Sequence, residues 1–288
     1  MMSVKNYKPE DSISVHYPEA VEWRRTLHKC PQPSWLEFFA TAFVAEKLAG
    51  WGYDVKQGRD VIAENKLLLL PDPETLQAEY DRALKAGANE KFLAPARGGF
   101  TGVIAVLKGA LPGPTIGFRF DIDSNEVTEA QDTTHVPAKQ GFISQNPGYA
   151  HMCGHDIHMA TGLLLAKYFA DNCKTLKGTV KFLFQPNEEN LSGAAAMIEK
   201  GALDDLDYLA GGHIGLALKE TGQICFNIHS FMALSRFEVT FTGRPTHAAA
   251  SPEQGKNAML GACNAVTNLY AISRTSKGAP RINVGILQ

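Results

Sequence analysis

Hydrophobic and polar positions recur with different periods along the chain. Near the start, Trp35, Leu36, Phe39, Phe43, Val44 and Leu48 return at intervals of three and four, which predicts an amphipathic helix running to about Ala49. Ser34 with Glu37 three residues later reads as a capping box that opens it, and Gly50 and Gly52 close it. A shorter helix is expected around 19–28 and a strand near 53–55. A polar helix is expected over 71–87 as an exposed insertion.

From Gly98 strands and helices alternate. Thr101–Leu107 and Thr115–Phe120 are rich in β-formers, with a Gly/Pro turn between them, and the second run ends in Asp121-Ile122-Asp123. Ala160, Leu163, Leu164, Leu165, Tyr168 and Phe169 predict a helix over 157–172. The apolar run Thr179–Phe184 predicts a strand buried in a mixed sheet and leads into Gln185-Pro186-Asn187-Glu188-Glu189. A helix around 193–200, a strand near 208–210 and the turn Gly211-Gly212-His213 follow. This order defines an α/β layer, in which functional side chains gather beyond the carboxyl ends of the strands. Asp121, Asp123, Glu188, Glu189 and His213 all fall at such ends. After Ser230 the pattern restarts with an alternating strand over 237–241, a long helix from about Pro252 to Ile272 and a strand over 281–287. That β-α-β order is half of a ferredoxin-like unit.

Composition serves mainly to exclude. With 44% hydrophobic and 20% charged residues the chain has the makings of a packed core. A net charge of −2 and a pI near 6.5 argue against nucleic acid or an anionic membrane as partner and leave a small-molecule substrate. Cys30, Cys153, Cys173, Cys225 and Cys263 are odd in number and widely spaced, as expected of reduced thiols in a cytoplasmic protein. The first residues have no apolar signal core, and no run approaches the roughly eighteen apolar residues of a membrane span.

The densest chemistry lies in 151–159, where His151, Cys153, His155 and His158 accompany Asp156. Gly154, at a loop-to-helix junction, lets Cys153 and His155 face one centre, and His158 shares a helical face with His155. The plainer alternative is a buried thiol among histidines that satisfy local hydrogen bonds. Adjacent Glu188 and Glu189 repel if both are ionised, and a cation resolves the conflict. One carboxylate would bind the cation while the other acts as general base through a water; a solvated acidic turn is the alternative. His213 sits in a glycine-lined turn, as a ligand or a structural histidine. His247 and Asn257 lead into the second-domain helix, where they would donate to a developing oxyanion or simply cap the helix. Asp121 and Asp123 are expected to support the cluster. His16, His135, His151 and His229 have no supporting context, and Arg24 and Arg25 read as a packed or surface pair.

Four motifs then carry a resemblance: Met152-Cys153-Gly154-His155-Asp156-x-His158, Phe184-Gln185-Pro186-x-Glu188-Glu189, Gly212-His213-Ile214, and the stretch from His247 through Pro252, Glu253, Gly255 and Asn257 to Ala258. In order and spacing they resemble the metal-dependent amidohydrolases that include hippurate hydrolases, N-acyl amino acid deacylases and indole-acetyl-amino acid hydrolases. Trp23 to His28, the insertion at 71–98, Phe118 to Asp123 and Arg281 to Gly285 resemble the members that act on aminobenzoyl-glutamate. The resemblance implies a mixed-sheet, metallopeptidase-like α/β catalytic domain over 1–230 and the first half of a ferredoxin-like lid over 231–288. It implies Cys153, His155, Glu189 and His213 as metal ligands, Glu188 as general base, and His247 and Asn257 as lid residues touching the substrate. Two divalent ions are implied: the thiolate favours zinc, while the mixed histidine and carboxylate set and the family's habits allow manganese.

The implied reaction cleaves the amide joining an acyl or aminobenzoyl group to an amino acid, by analogy glutamate. A dipeptidase or general aminoacylase, and a non-catalytic fragment or partner subunit, are the competing readings. A homodimer through the lid, or pairing with a related sister subunit, is expected. Asn187 and Asn190 depart from the small residues usual beside the Glu-Glu pair. The family's last metal histidine would lie beyond Gln288, so the chain is expected to be C-terminally truncated, with the strand over 281–287 unpaired and one metal short of a ligand.

Overall fold

The computed structural model describes residues 13–215, 218, 220–226, 233–273, 275 and 281–287. They fall into two compact units, residues 1–227 and 228–288.

In the first unit, helices α1 (Tyr17–Lys29) and α2 (Phe38–Gly50) precede strand β1 (Asp54–Gln57) and helix α3 (Pro73–Lys85). Then come β2 (Val103–Lys108), β3 (Leu111–Asp121), helix α4 (His155–Asp171), β4 (Lys177–Gln185), helix α5 (Gly193–Ile198) and β5 (Tyr208–Gly211). The five strands form one mixed sheet in the order β1-β2-β4-β3-β5. β1 with β2 and β2 with β4 run antiparallel, while β3 lies parallel to both β4 and β5. This is the α/β architecture the alternation of elements predicts.

The sheet is covered on both faces, and the period of two along each strand decides which side chain goes where. Phe182 and Phe184 of β4, with Val103, Ala105 and Leu107 of β2, join the large core under α1, α2 and α4, which includes Trp23, Leu27, Phe38, Leu48 and Leu163. The intervening Leu183 and Ile104 join a smaller cluster with Trp35, Ile62 and Met197. Helix α4 approaches closely because position 162 is glycine: a Cβ there would lie 2.8 Å from the Phe120 ring and 2.9 Å from that of Phe184. Thus α4 is pressed onto the two strands that frame its N-terminus.

Three local expectations are corrected. The capping box does not form, since α2 begins at Phe38 and neither Ser34 nor Glu37 caps it; both side chains are spent elsewhere. Helix α3 is no detached insertion: its polar face is solvated, but Leu76, Tyr80 and Ala83 are buried, and Tyr80 meets Phe38 edge-on at 5.6 Å. Apolar residues spaced over its turns suffice to dock it.

The third correction concerns the second unit. Among its described residues the long helix is α6 (Ala258–Tyr270), shorter than expected, and no strand forms at 237–241 or 281–287. A strand exists only where its backbone groups are paired, and here the described pairing is the single bridge between Arg244 and Lys256. Among the described residues of the whole chain, no helix is long and apolar enough to cross a membrane.

Candidate metal centre

Parallel β3, β4 and β5 end on one edge of the sheet, and the segments that leave them carry the candidate residues. Asp121 closes β3 and Asp123 follows it, Glu188 and Glu189 follow β4, and His213 follows β5. The N-terminus of α4 adds His155 and His158. Gly154 precedes α4 with φ +82°, and a Cβ there would lie 2.1 Å from Ile214 Cδ1. Glycine is therefore required twice, for the left-handed turn and for space, and this turn brings Cys153 back beside His155.

His155 is wholly buried, and its Nδ1 lies 2.8 Å from the Asp123 carbonyl oxygen and 3.2 Å from Asp123 Oδ1. Since a carbonyl only accepts, Nδ1 donates to it, and in the neutral ring the lone pair is on Nε2, which faces the site. Nε2 stands 3.7 Å from Asp121 Oδ1, 3.8 Å from Glu188 Oε2 and 3.9 Å from Glu189 Oε1. Buried His155 Nε2, Glu189 Oε1 and Asp123 Oδ1 have no hydrogen-bond partner. Cys153 Sγ lies 3.4 Å from His213 Nε2. Ligand-capable atoms of Cys153, His155 and Glu189 all lie within 4.8 Å of one another, and so do those of Asp123, His155 and Glu188.

Buried polar atoms left without a partner cost about 1–3 kcal/mol each, and more where they are charged. A cation removes that cost, and the sulfur, nitrogen and oxygen donors suit a divalent transition metal. The residues present fit such an ion. The electrostatics have the same sense. Burial, then Glu189, Glu188 and Asp121, push the Cys153 thiol up to about 12. Burial lowers His155, but its bond with Asp123 and the charges of Asp121, Asp123 and Glu189 outweigh that and raise it to about 9. Burial raises Glu188 as well. A bound cation inverts each of these trends.

His158 is placed differently. Its Nδ1 bonds the Asp121 carboxylate, and its Nε2 accepts the backbone N–H of Ile214 at 3.0 Å. Both nitrogens are committed, so the side chain ties α4 to the turn bearing His213. Asp121 also accepts from Arg119 Nη1 at 2.7 Å; burial raises its pKa, but the bond from His158 and the charges of His155 and Arg119 bring it down to about 2. Asp123 Oδ2 accepts from Ser34 Oγ at 3.1 Å and from the Glu189 backbone N–H at 3.0 Å.

The Glu-Glu turn is bounded by two left-handed residues, Asn187 at φ 50° and Leu191 at φ 57°. Asparagine tolerates that conformation better than other side chains with a Cβ, which gives Asn187 a local reason to be there. Its Nδ2 is spent within the turn, 2.6 Å from Ser192 Oγ.

Sequence reasoning missed a buried network behind the cluster. Asp156 Oδ2 accepts from Arg24 Nε at 2.7 Å and from His28 Nδ1 at 2.8 Å. His28 Nε2 lies 2.8 Å from Glu129 Oε1, which also meets His135 Nε2 at 2.6 Å. Each His28 nitrogen faces a carboxylate oxygen, which accepts, so both are placed to donate; burial lowers the His28 pKa, but the two flanking carboxylates outweigh it and raise it. The available signal was the four-residue spacing of Arg24 and His28, which puts both on one face of α1. His151 is buried nearby, and burial lowers it to about 4. His16 bonds Asp171 at 2.8 Å far along α4, and His229 lies outside the described residues.

In the second unit, His247 Nδ1 accepts the backbone N–H groups of Ala249 and Ala250 at 3.2 and 3.1 Å. Asn257 Oδ1 caps α6 by accepting from Leu260 N at 3.3 Å. Both residues are exposed within that unit.

The profile of peptidase family M20/M25/M40 matches residues 117–280. The chain is 42% identical over 271 residues to one of the subunits of p-aminobenzoyl-glutamate hydrolase from Escherichia coli (strain K12), covering 94% of this chain and 62% of that protein. It thus spans about three fifths of the length of the curated relatives it matches. Among solved structures, an aminobenzoyl-glutamate utilization protein from Klebsiella pneumoniae aligns with a TM-score of 0.74 at 33% identity, over 98% of this chain and 64% of that one. The Bacillus subtilis YXEP protein, described as a dinuclear metal binding peptidase from the M20 family, aligns with a TM-score of 0.53 at 27% identity, over 71% of this chain and 45% of that one. With its profile match running from β3 through the cluster and into α6, the chain belongs to peptidase family M20/M25/M40.

Proposed function

We propose that this chain carries the catalytic centre of a metal-dependent amidohydrolase acting on N-acyl amino acids. The substrate is p-aminobenzoyl-glutamate, and the products are p-aminobenzoate and glutamate. The observation that carries this reading is the convergence of Cys153, His155 and Glu189, with two of the inward-facing atoms buried and unpartnered. The substrate follows from the similarity to the Escherichia coli p-aminobenzoyl-glutamate hydrolase and to the aminobenzoyl-glutamate utilization protein.

Cys153, His155, Glu189 and His213 would hold two divalent ions, manganese or zinc. When bound, such ions polarise an amide carbonyl and make a nearby water more acidic. Glu188, whose Oε2 lies 3.8 Å from His155 Nε2, takes a proton from the attacking water. Partial burial raises its pKa, which makes the ionised carboxylate a stronger base toward the water and lets it hold that proton until it passes to the leaving amine. Water thus adds across the C–N bond through one carboxylate. His155 keeps its Nδ1 proton on Asp123 throughout, which fixes the ring and leaves Nε2 free to bind.

Residues 231–288 serve as part of a lid. Through it His247 and Asn257 reach the substrate, and two copies of this chain, or this chain with a sister subunit, come together. The similar Escherichia coli protein is named as a subunit of its hydrolase, which favours the sister. All five cysteines are unpaired, which agrees with a cytoplasmic setting. The test is to load the purified chain with manganese or zinc and assay p-aminobenzoyl-glutamate beside hippurate and simple dipeptides. Faster hydrolysis of a dipeptide than of p-aminobenzoyl-glutamate would overturn the substrate assignment.

A further inference from the structure

We propose that Glu37 is a positioning residue that holds the turn bearing Glu188 and Glu189 in its working shape. The inference rests on the reading of those two carboxylates as base and ligand. Glu37 lies at the N-terminus of α2, far from the cluster in sequence, yet its carboxylate is completely buried. Burying a carboxylate is costly unless its oxygens are satisfied, and both of these are used. Oε1 accepts the backbone N–H of Asn187 at 2.7 Å, and Oε2 accepts from Thr101 Oγ1 at 2.6 Å. Asn187 and Thr101 are themselves completely buried.

The turn needs an outside anchor. Two of its non-glycine residues are left-handed, and Gly193 comes so close to Pro186 that a Cβ on it would lie 1.7 Å from the Pro186 oxygen. A backbone of this kind persists only when its surroundings hold it. Two acidic groups do so from below: Glu37 at the Asn187 amide, and Asp123 at the Glu189 amide. Asp123 is in turn steadied by Ser34, three residues before Glu37. The segment that resembles a capping box is therefore a brace under the carboxylate turn.

The test compares Glu37→Ala, Glu37→Gln and Thr101→Val in the full chain. The readouts are amide hydrogen exchange over 186–189, with α3 as internal control, and affinity for Mn²⁺ or Zn²⁺. Glu37→Ala should speed exchange over 186–189 at least about tenfold, leave α3 unchanged, and weaken metal binding about 10–100-fold. Glu37→Gln, which keeps the acceptor for Asn187, should stay within about threefold of the parent on both readouts. Unchanged exchange over 186–189 in Glu37→Ala, or a Gln variant as impaired as the Ala variant, overturns the proposal. If Glu37→Ala does not fold, Thr101→Val decides alone: it should speed exchange over 186–189, and no change there overturns the brace. Glu188→Gln and Glu189→Gln are measured alongside. If both keep full turnover and metal affinity, the reading of the carboxylates fails, while exchange over 186–189 still reports on Glu37.

Discussion

His158 Nε2 accepts the backbone N–H of Ile214 at 3.0 Å, so a side chain on α4 fixes the turn that presents His213. The two imidazole rings also meet nearly at right angles, with centroids 4.5 Å apart. His158→Ala should therefore weaken metal binding by about 10–100-fold although it removes no proposed ligand. Competition with a chelator measures this. An affinity equal to that of the parent would mean that the turn after β5 holds itself.

Glu188 and Glu189 are neighbours with separate expected roles. Glu188→Gln should retain metal and lose roughly 10²–10⁴-fold in turnover, the usual worth of a general base. Glu189→Gln should lose metal. Paired metal content and rate are the measurements, and metal loss from Glu188→Gln as complete as that from Glu189→Gln would reverse the assignment.

Cys153→Ser should weaken metal binding, because a hydroxyl replaces a thiolate that the cation would keep deprotonated. Cys225 and Cys263 are exposed, and serine at either should leave metal content unchanged. Equal metal loss from Cys153→Ser and Cys225→Ser would remove the cluster from its central place.

The metal-free chain should lose stability as pH rises from about 6.5 to about 9. His155 is raised from 6.5 to about 9, so its contribution is complete below 6.5 and disappears as pH passes through the folded value. Glu37, raised mainly by burial and next by the charge of Asp123, acts in the same sense, its contribution falling as pH rises. A bound cation takes over the role of the His155 proton, so the metal-loaded protein should show a flatter profile. Thermal melts of chelated and reloaded protein across this range check it, and identical slopes would refute it.

The α/β sheet and the edge on which the candidates gather were legible because period-two strands and period-3.6 helices leave separate marks in the sequence. The cluster was legible because Cys153, His155 and Glu189 belong to types that rarely crowd together without a reason. Ser34 and Glu37 were misread: their spacing suits a local cap, and nothing in one dimension shows Asp123, Thr101 and Asn187 competing for the same oxygens. The His28 network was hidden for the same reason, since Glu129 and Asp156 reach it only through tertiary folding. The strand over 237–241 was inferred from alternation and that over 281–287 from its place in a β-α-β order, and neither signal supplies a neighbour for the backbone.

The parallel pairing of β3 with both β4 and β5 has a kinetic consequence. Each of those pairs is closed by a long crossover, with Phe118 opposite both Phe182 and Ala210. Chain closure over such separations is slow, because entropy is lost before any contact is gained. The donors at the sheet edge therefore meet only after the slowest pairings have formed. A cation added at the start of refolding finds no assembled cage, so metal uptake should trail the recovery of sheet structure and not accelerate it.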